Sequence, residues 1–184
     1  MVVGGSVPAV HGGWMWDLTV PGNNDHDFYV NVGATSILVH NQNAPGCGPE
    51  EFVTNALGDL AGKRVTTGRI FDSAGNTIAD ELEAGGSSDL TKATDAYLRQ
   101  NGAPINPRAA YYPASQHVEA QYAMWMSQNG VTDATVVMNN AEGVCAGTYG
   151  CQGAVQVILP EGSTMTVWYP GATEPVVIRG AGAP

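Results

Sequence analysis

Residues 115–140, SQHVEAQYAMWMSQNGVTDATVVMNN, decide the fold class. Val118, Tyr122, Trp125 and Met126 recur at i, i+4, i+7 and i+8, the spacing of one helical face, and Ser115 stands ahead of them as a capping residue. Asn129-Gly130 stops the helix, and Ala134 to Met138 follows as a short apolar strand. His117 and Glu119 lie about 100° to either side of Val118 on such a helix, so they converge only on something seated over its first turn.

Neighbouring segments extend this into an α/β pattern. Upstream, Glu50 to Leu60 is weakly helical, and Arg64 to Phe71 and Thr77 to Glu83 flank the turn sequence Asp72-Ser73-Ala74-Gly75-Asn76. Asp89 to Gln100 reads as a helix capped by Ser88 or Asp89 and stopped by Asn101-Gly102. Downstream, Ala154, Val155 and Ile158 complete a helical pattern that begins at Cys151 and ends at Pro160. Thr164 to Tyr169 and Pro175 to Ile178 are strands separated by Pro170-Gly171, which predicts an antiparallel pair. The expected architecture is a mixed five-stranded sheet with both helices of the candidate site on one face.

Composition narrows the function classes. The chain has 184 residues, 43% of them hydrophobic, and no apolar run approaches the ~18 residues of a membrane span. Residues 1–13 carry neither a basic segment nor a continuous apolar core of a signal peptide, so nothing targets the chain by itself. The formal net charge of −10 argues against a nucleic-acid partner, because phosphate binding needs clustered Lys and Arg. All seven basic residues lie beyond residue 41, and from 109 onward only Arg179 remains. A nucleic-acid partner would have to be met by Arg64, Arg69, Lys92, Arg99 and Arg108.

Three cysteines cannot all pair. Cys47, between Pro45-Gly46 and Gly48-Pro49, reads as an exposed spare, while Cys145 and Cys151 bracket the loop CAGTYGC. That loop is a disulfide, a pair of bystanders, or two ligands awaiting a third, and the order of elements favours ligands. Helix N-termini stabilise negative charge and so suit a thiolate, and zinc accepts His and Cys with a fourth position left for water. His117, Cys145 and Cys151 supply three ligands; Glu119 is free to shuttle a proton. His-x-Glu followed by Pro-Cys-x-x-Cys is the pattern of zinc-dependent nucleobase deaminases. Two departures stand out: Val144 replaces the proline, and the cysteines have five residues between them rather than two. Gly147 and Gly150 make the longer loop able to fold outward.

Residues 16–41, WDLTVPGNNDHDFYVNVGATSILVHN, alternate apolar and polar positions in short runs and read as a small β piece. They resemble the C-terminal end of a Hint self-processing module in Leu18-Thr19-Val20, His26 with Phe28-Tyr29-Val30, and Val39-His40-Asn41. The resemblance implies that Asn41 matches the family's cyclising residue and His40 and His26 its helpers, that 1–41 is an inactive remnant of such a module, and that a cut after Asn41 would free a chain beginning at Gln42.

Residues 108–180 resemble the DddA-like bacterial deaminase toxins. The shared features are Tyr112-Pro113, His117 to Glu119, Asn129-Gly130, Asn139-Asn140, Leu159 to Glu161 and Met165 to Val167. The resemblance implies a cytidine-deaminase-like fold over 42–184, zinc held by His117, Cys145 and Cys151, and Glu119 as general acid/base. It further implies cytosine in DNA as the substrate, with Asn139 bonding the target nucleotide and Tyr111, Tyr112 and Trp168 lining its pocket. A monomeric effector, delivered into the target-cell cytoplasm and paired with a cognate immunity protein, completes the expectation. RNA, free nucleotides, or a non-catalytic zinc-stabilised interaction module are the alternatives.

Overall fold

The structure is a computed structural model describing residues 27–32, 35–40, 50–102, 105, 107–147 and 149–183. The chain divides into two compact units, Met1–Cys47 and Gly48–Pro184. In the first, β1 (Asp27–Val32) and β2 (Thr35–His40) form an antiparallel ladder running from Asp27 opposite His40 to Val32 opposite Thr35. Leu18 to Val20, His26, Asn41 and Cys47 lie outside the described residues.

The second unit contains α1 (Glu51–Leu60), β3 (Thr67–Phe71), β4 (Leu82–Glu83), α2 (Asp89–Asn101), α3 (Val118–Asn129), β5 (Asp133–Met138), α4 (Cys151–Ile158), β6 (Thr164–Trp168) and β7 (Val176–Arg179). Its sheet has the order β4-β3-β5-β6-β7. Only β5 and β6 run parallel, and the other neighbours are antiparallel, so the sheet is mixed as expected. The expected hairpin is shorter than its sequence pattern. Asp72 ties the turn by accepting from the amides of Ala74 and Asn76, at 2.9 and 2.8 Å, and Phe71 makes an isolated bridge to Thr77. Regular pairing then resumes only at Leu82–Glu83.

Apolar residues pack on both sheet faces. On one, α3 and α4 cover Ile70, Val136, Met138, Met165, Val167 and Ile178; on the other, Val53, Ala56 and Leu60 of α1 cover Phe71 and Val137. Alternation along β5 and β6 thus feeds two layers of helices. The α3 helix is buried almost all round, from Val118 to Met124 and again at Met126, while Trp125 is only half-buried. The apolar stripe understates this because α2, α4 and the sheet enclose the helix together.

Helix α3 begins later than Ser115 suggests. Pro113–Gln116 form a 3-10 turn, Ser115 donates to the Tyr112 carbonyl at 2.8 Å, and His117 becomes the extended residue before the helix. A fixed proline φ at Pro113 favours the tight turn and displaces the helix start by two residues. Ser88 does cap α2, its hydroxyl accepting from the Thr91 amide at 3.0 Å.

Topology gathers the chemistry at one end of the sheet. A parallel β5–β6 pair needs a crossover, supplied by α4, which therefore starts beyond the carboxyl end of β5. Helix α3 turns directly into β5, so its own start lies at that same end. Gly68 on β3 permits the close approach of α3, since a Cβ there would stand 3.0 Å from Val118 Cγ1 and 3.2 Å from Tyr122 Cε2.

The Tyr122 hydroxyl secures the helix to the sheet. It donates toward the carbonyls of Gly68 and Asp80, at 2.6 and 3.0 Å, and accepts from the Leu82 amide at 3.1 Å. Removing it in Tyr122→Phe leaves buried backbone groups short of partners and should destabilise the domain by about 2 kcal/mol. Urea denaturation measures this, and an unchanged midpoint would show that the tether contributes nothing.

Candidate active site

Three elements deliver the site. His117 ends the 3-10 turn, Cys145 lies in the loop after β5, and Cys151 is the first residue of α4. The backbone around them is cross-tied: Ala84 donates to the Thr66 carbonyl and Gly85 to that of Gln116, both at 2.7 Å. The entry to β3 and the residue before His117 are thereby held together.

The donor atoms converge. His117 Nδ1 is 2.9 Å from Cys151 Sγ and 3.6 Å from Cys145 Sγ, and the sulfurs are 2.8 Å apart. Both cysteines are free thiols, so the disulfide alternative does not describe this loop. A tetrahedral ion bonded at about 2.0–2.3 Å separates its donors by about 3.5 Å. The Cys145–His117 distance already matches, and the other two need to widen by less than about 1 Å. The set passes from exposed His117 through half-buried Cys145 to buried Cys151, which leaves one side open to solvent. These three residues can hold a metal ion.

Hydrogen bonds tie the two ends of the loop together. Cys145 Sγ accepts from the Cys151 amide at 2.9 Å, the Gln152 amide reaches back to the Cys145 carbonyl at 3.4 Å, and Gly150 donates to the Gly147 carbonyl at 3.0 Å. A sulfur therefore meets the first amide of α4, where the helix dipole favours negative charge. Gly150 has no alternative: a Cβ there would lie 2.6 Å from the carbonyl oxygens of both Cys145 and Ala146.

Glu119 lies against Cys151 and is 3% exposed. Burial holds its carboxyl above the usual carboxylate range, partly offset by its own backbone amide, by His117 and by a hydrogen bond with Cys151. Burial likewise pushes the Cys151 thiol up, with Glu119 and Cys145 adding to the effect. A divalent cation bound to the two sulfurs would favour their thiolate forms.

The structure separates the remaining sequence candidates. Asn139 directs its amide to backbone: Oδ1 accepts from Thr67 at 2.7 Å, and Nδ2 donates to Lys63 and Val65 carbonyls at 3.1 and 3.2 Å. Both amide protons and one lone pair are committed to holding the entry to β3 against the end of β5. Tyr112 is a core ring, and Trp168 packs on the cluster beneath α1, across the sheet from α3 and α4. Tyr111 stays exposed just before the turn that leads to His117. Sequence reasoning passed over Tyr149, an exposed ring set edge-on to Tyr112 at 6.3 Å between the two cysteines. Its place inside CAGTYGC was the available signal.

A buried glutamate beside a His-Cys-Cys donor set, at the carboxyl end of a parallel strand pair in a mixed sheet, defines a deaminase-type α/β domain. A family model described as SCP1.201-like deaminase matches residues 43–184, and the chain belongs to that family. The double-stranded DNA deaminase toxin A of Burkholderia cenocepacia (strain H111) is 40% identical over 70 residues, which cover 38% of this chain. The chain spans about 5% of the length of that relative.

Gly150 and Gly153 give opposite expectations. A Cβ at Gly153 meets nothing within 4 Å, so Gly153→Ala should stabilise α4 by about 0.5–1 kcal/mol and leave metal binding intact. Gly150→Ala should force the loop open and lower the zinc bound per chain, read by elemental analysis after dialysis. Equal zinc in both variants would show that the folded loop does not determine the site.

Proposed function

We propose that residues 42–184 hydrolytically deaminate cytosine to uracil in DNA, using zinc held by His117, Cys145 and Cys151. The observation that carries this reading is the convergence of His117 Nδ1 and two sulfurs, with buried Glu119 against Cys151, in a chain of a deaminase family. Zinc, when bound, lowers the pKa of water toward about 7. Glu119 in its ionised form would take a proton from the attacking water and pass it on as ammonia leaves the amino-bearing carbon of the base, and the burial that raises its pKa makes the carboxylate a stronger base for that transfer. His117, pinned as the residue before α3, orients the open side of the site toward the substrate.

DNA is favoured by the 40% identical relative, whose name records double-stranded DNA deamination. RNA or free nucleotides remain the second reading because Lys63, Arg69, Lys92 and Arg99 all donate to carboxylates, leaving few cations for phosphate. Among the described residues, Tyr111 and Tyr149 are exposed aromatic rings available to a flipped base or its neighbour, while Tyr112 is buried and half-buried Trp168 packs on the α1 side of the sheet. Asn139 acts through the frame of the site, by holding residues 63–67 in place.

The relative's description as a toxin supports an effector role, with an immunity protein as the cognate partner and the target cell as the place of action. Among the described residues no helix is long and apolar enough to cross a membrane. Residues 1–41 would be the end of a Hint module preceding the toxin, a boundary that agrees with the division after Cys47 and with the family match from residue 43.

Glu119→Gln should retain zinc and fold while uracil formation falls by at least about 100-fold, the scale of a lost general acid/base. Uracil is read by excision and strand cleavage of a cytosine-containing oligonucleotide. Full activity in this variant overturns the mechanism. His117→Ala and Cys145→Ala should lose zinc as well.

A further inference from the structure

The cations of this acidic domain are not equivalent. Lys63 pairs with Glu81, and Arg69 bonds Asp59 at 2.7 Å and Glu81 at 3.1 Å. Lys92 pairs with Asp89 at 3.0 Å, and Arg99 with Asp95 at 2.7 Å and the Ala109 carbonyl at 3.0 Å. Arg108 also has a partner. Among the described residues, Arg64 and Arg179 are the Lys or Arg side chains with neither an ion pair nor a side-chain hydrogen bond.

They sit at opposite ends of the sheet. Arg179 closes β7 opposite Thr164, the first residue of β6, and so lies away from the carboxyl end where the site is built. Arg64 lies at that carboxyl end. The carbonyls on either side of it, from Lys63 and Val65, both accept from Asn139 Nδ2, and Asn139 is the residue that follows β5 and leads to Cys145. Two residues on, Thr66 is linked through Ala84 and Gly85 to Gln116, the neighbour of His117. The backbone of Arg64 is thus fixed at both sides beside the site, while its side chain is exposed and followed by Val65, 45% exposed.

We infer that Arg64 is a phosphate contact through which this domain engages a polynucleotide, next to the nucleotide held in the site. With a net charge of −10, long-range attraction cannot gather phosphate, and Glu142 adds an exposed carboxylate to the loop that follows Asn139. Binding then depends on a guanidinium placed locally, with its five donors uncommitted to any acid. The inference rests on the proposed function, and it selects a polynucleotide over a free nucleotide as substrate.

The test is fluorescence-anisotropy binding of a labelled duplex oligonucleotide to the zinc-loaded full chain between 50 and 200 mM salt (about one counterion released per contact), with uracil formation scored separately. Arg64→Gln should weaken binding about 5- to 10-fold near 0.1 M salt and flatten the salt slope by about one unit. Arg64→Lys should restore the slope, and Arg179→Gln should match the parent protein. An unchanged slope in Arg64→Gln, equal losses in Arg64→Gln and Arg179→Gln, or no binding by the parent protein overturns the inference. Arg64-dependent binding without uracil formation would instead overturn the reading of the site as a cytosine deaminase.

Discussion

The hydrogen bond from the Cys151 amide to Cys145 Sγ, 2.9 Å long, closes the loop on which the site depends. It places one sulfur at the positive end of α4 while the other belongs to the first residue of that helix. Both can then face His117, whose position is set separately by the 3-10 turn and the start of α3. Gly150 is the steric condition for the closure, because its α-carbon passes where any side chain would strike two carbonyl oxygens. A loop of this length thus brings its two sulfurs within 2.8 Å of each other, as a tighter Cys-x-x-Cys turn would.

The sheet supplies the other half of the arrangement. Parallel pairing of β5 and β6 compels a crossover helix, and the crossover puts the start of α4 beside the start of α3. Glu119 comes with α3 into a buried position against Cys151, where the protein disfavours its ionised form. A carboxyl whose pKa is raised by burial is a stronger base once ionised, which suits it to proton transfer. Packing and site share this contact: Val118 seats the helix on Gly68, and the residues on either side of Val118 are the proposed ligand His117 and the buried Glu119.

Much of this was legible in the chain. The strands at 133–138, 164–168 and 176–179, the four helices and the three converging donors follow from periodicity, turn residues and the order of elements. What escaped was set by packing across long separations. Ser115 looked like a cap, but its hydroxyl turned to the Tyr112 carbonyl. Thr77 to Glu83 had strand-like residues, yet its backbone groups at Asp80 and Leu82 were taken by the hydroxyl of Tyr122, about forty residues on. Asn139 was expected to bond the target nucleotide, and its amide also binds backbone more than seventy residues earlier. No local pattern encodes such partners. The seven basic residues were countable in the sequence, whereas which of them meet an acid depended on the tertiary structure.

The central claim is that one ion sits among His117, Cys145 and Cys151 and leaves a position for water. X-ray absorption at the zinc edge of the purified chain tests it most directly. The account predicts two sulfur neighbours at about 2.3 Å and two nitrogen or oxygen neighbours at about 2.0–2.1 Å. A shell of four sulfurs, or a chain that takes up no zinc because Cys145 and Cys151 are joined, would contradict it.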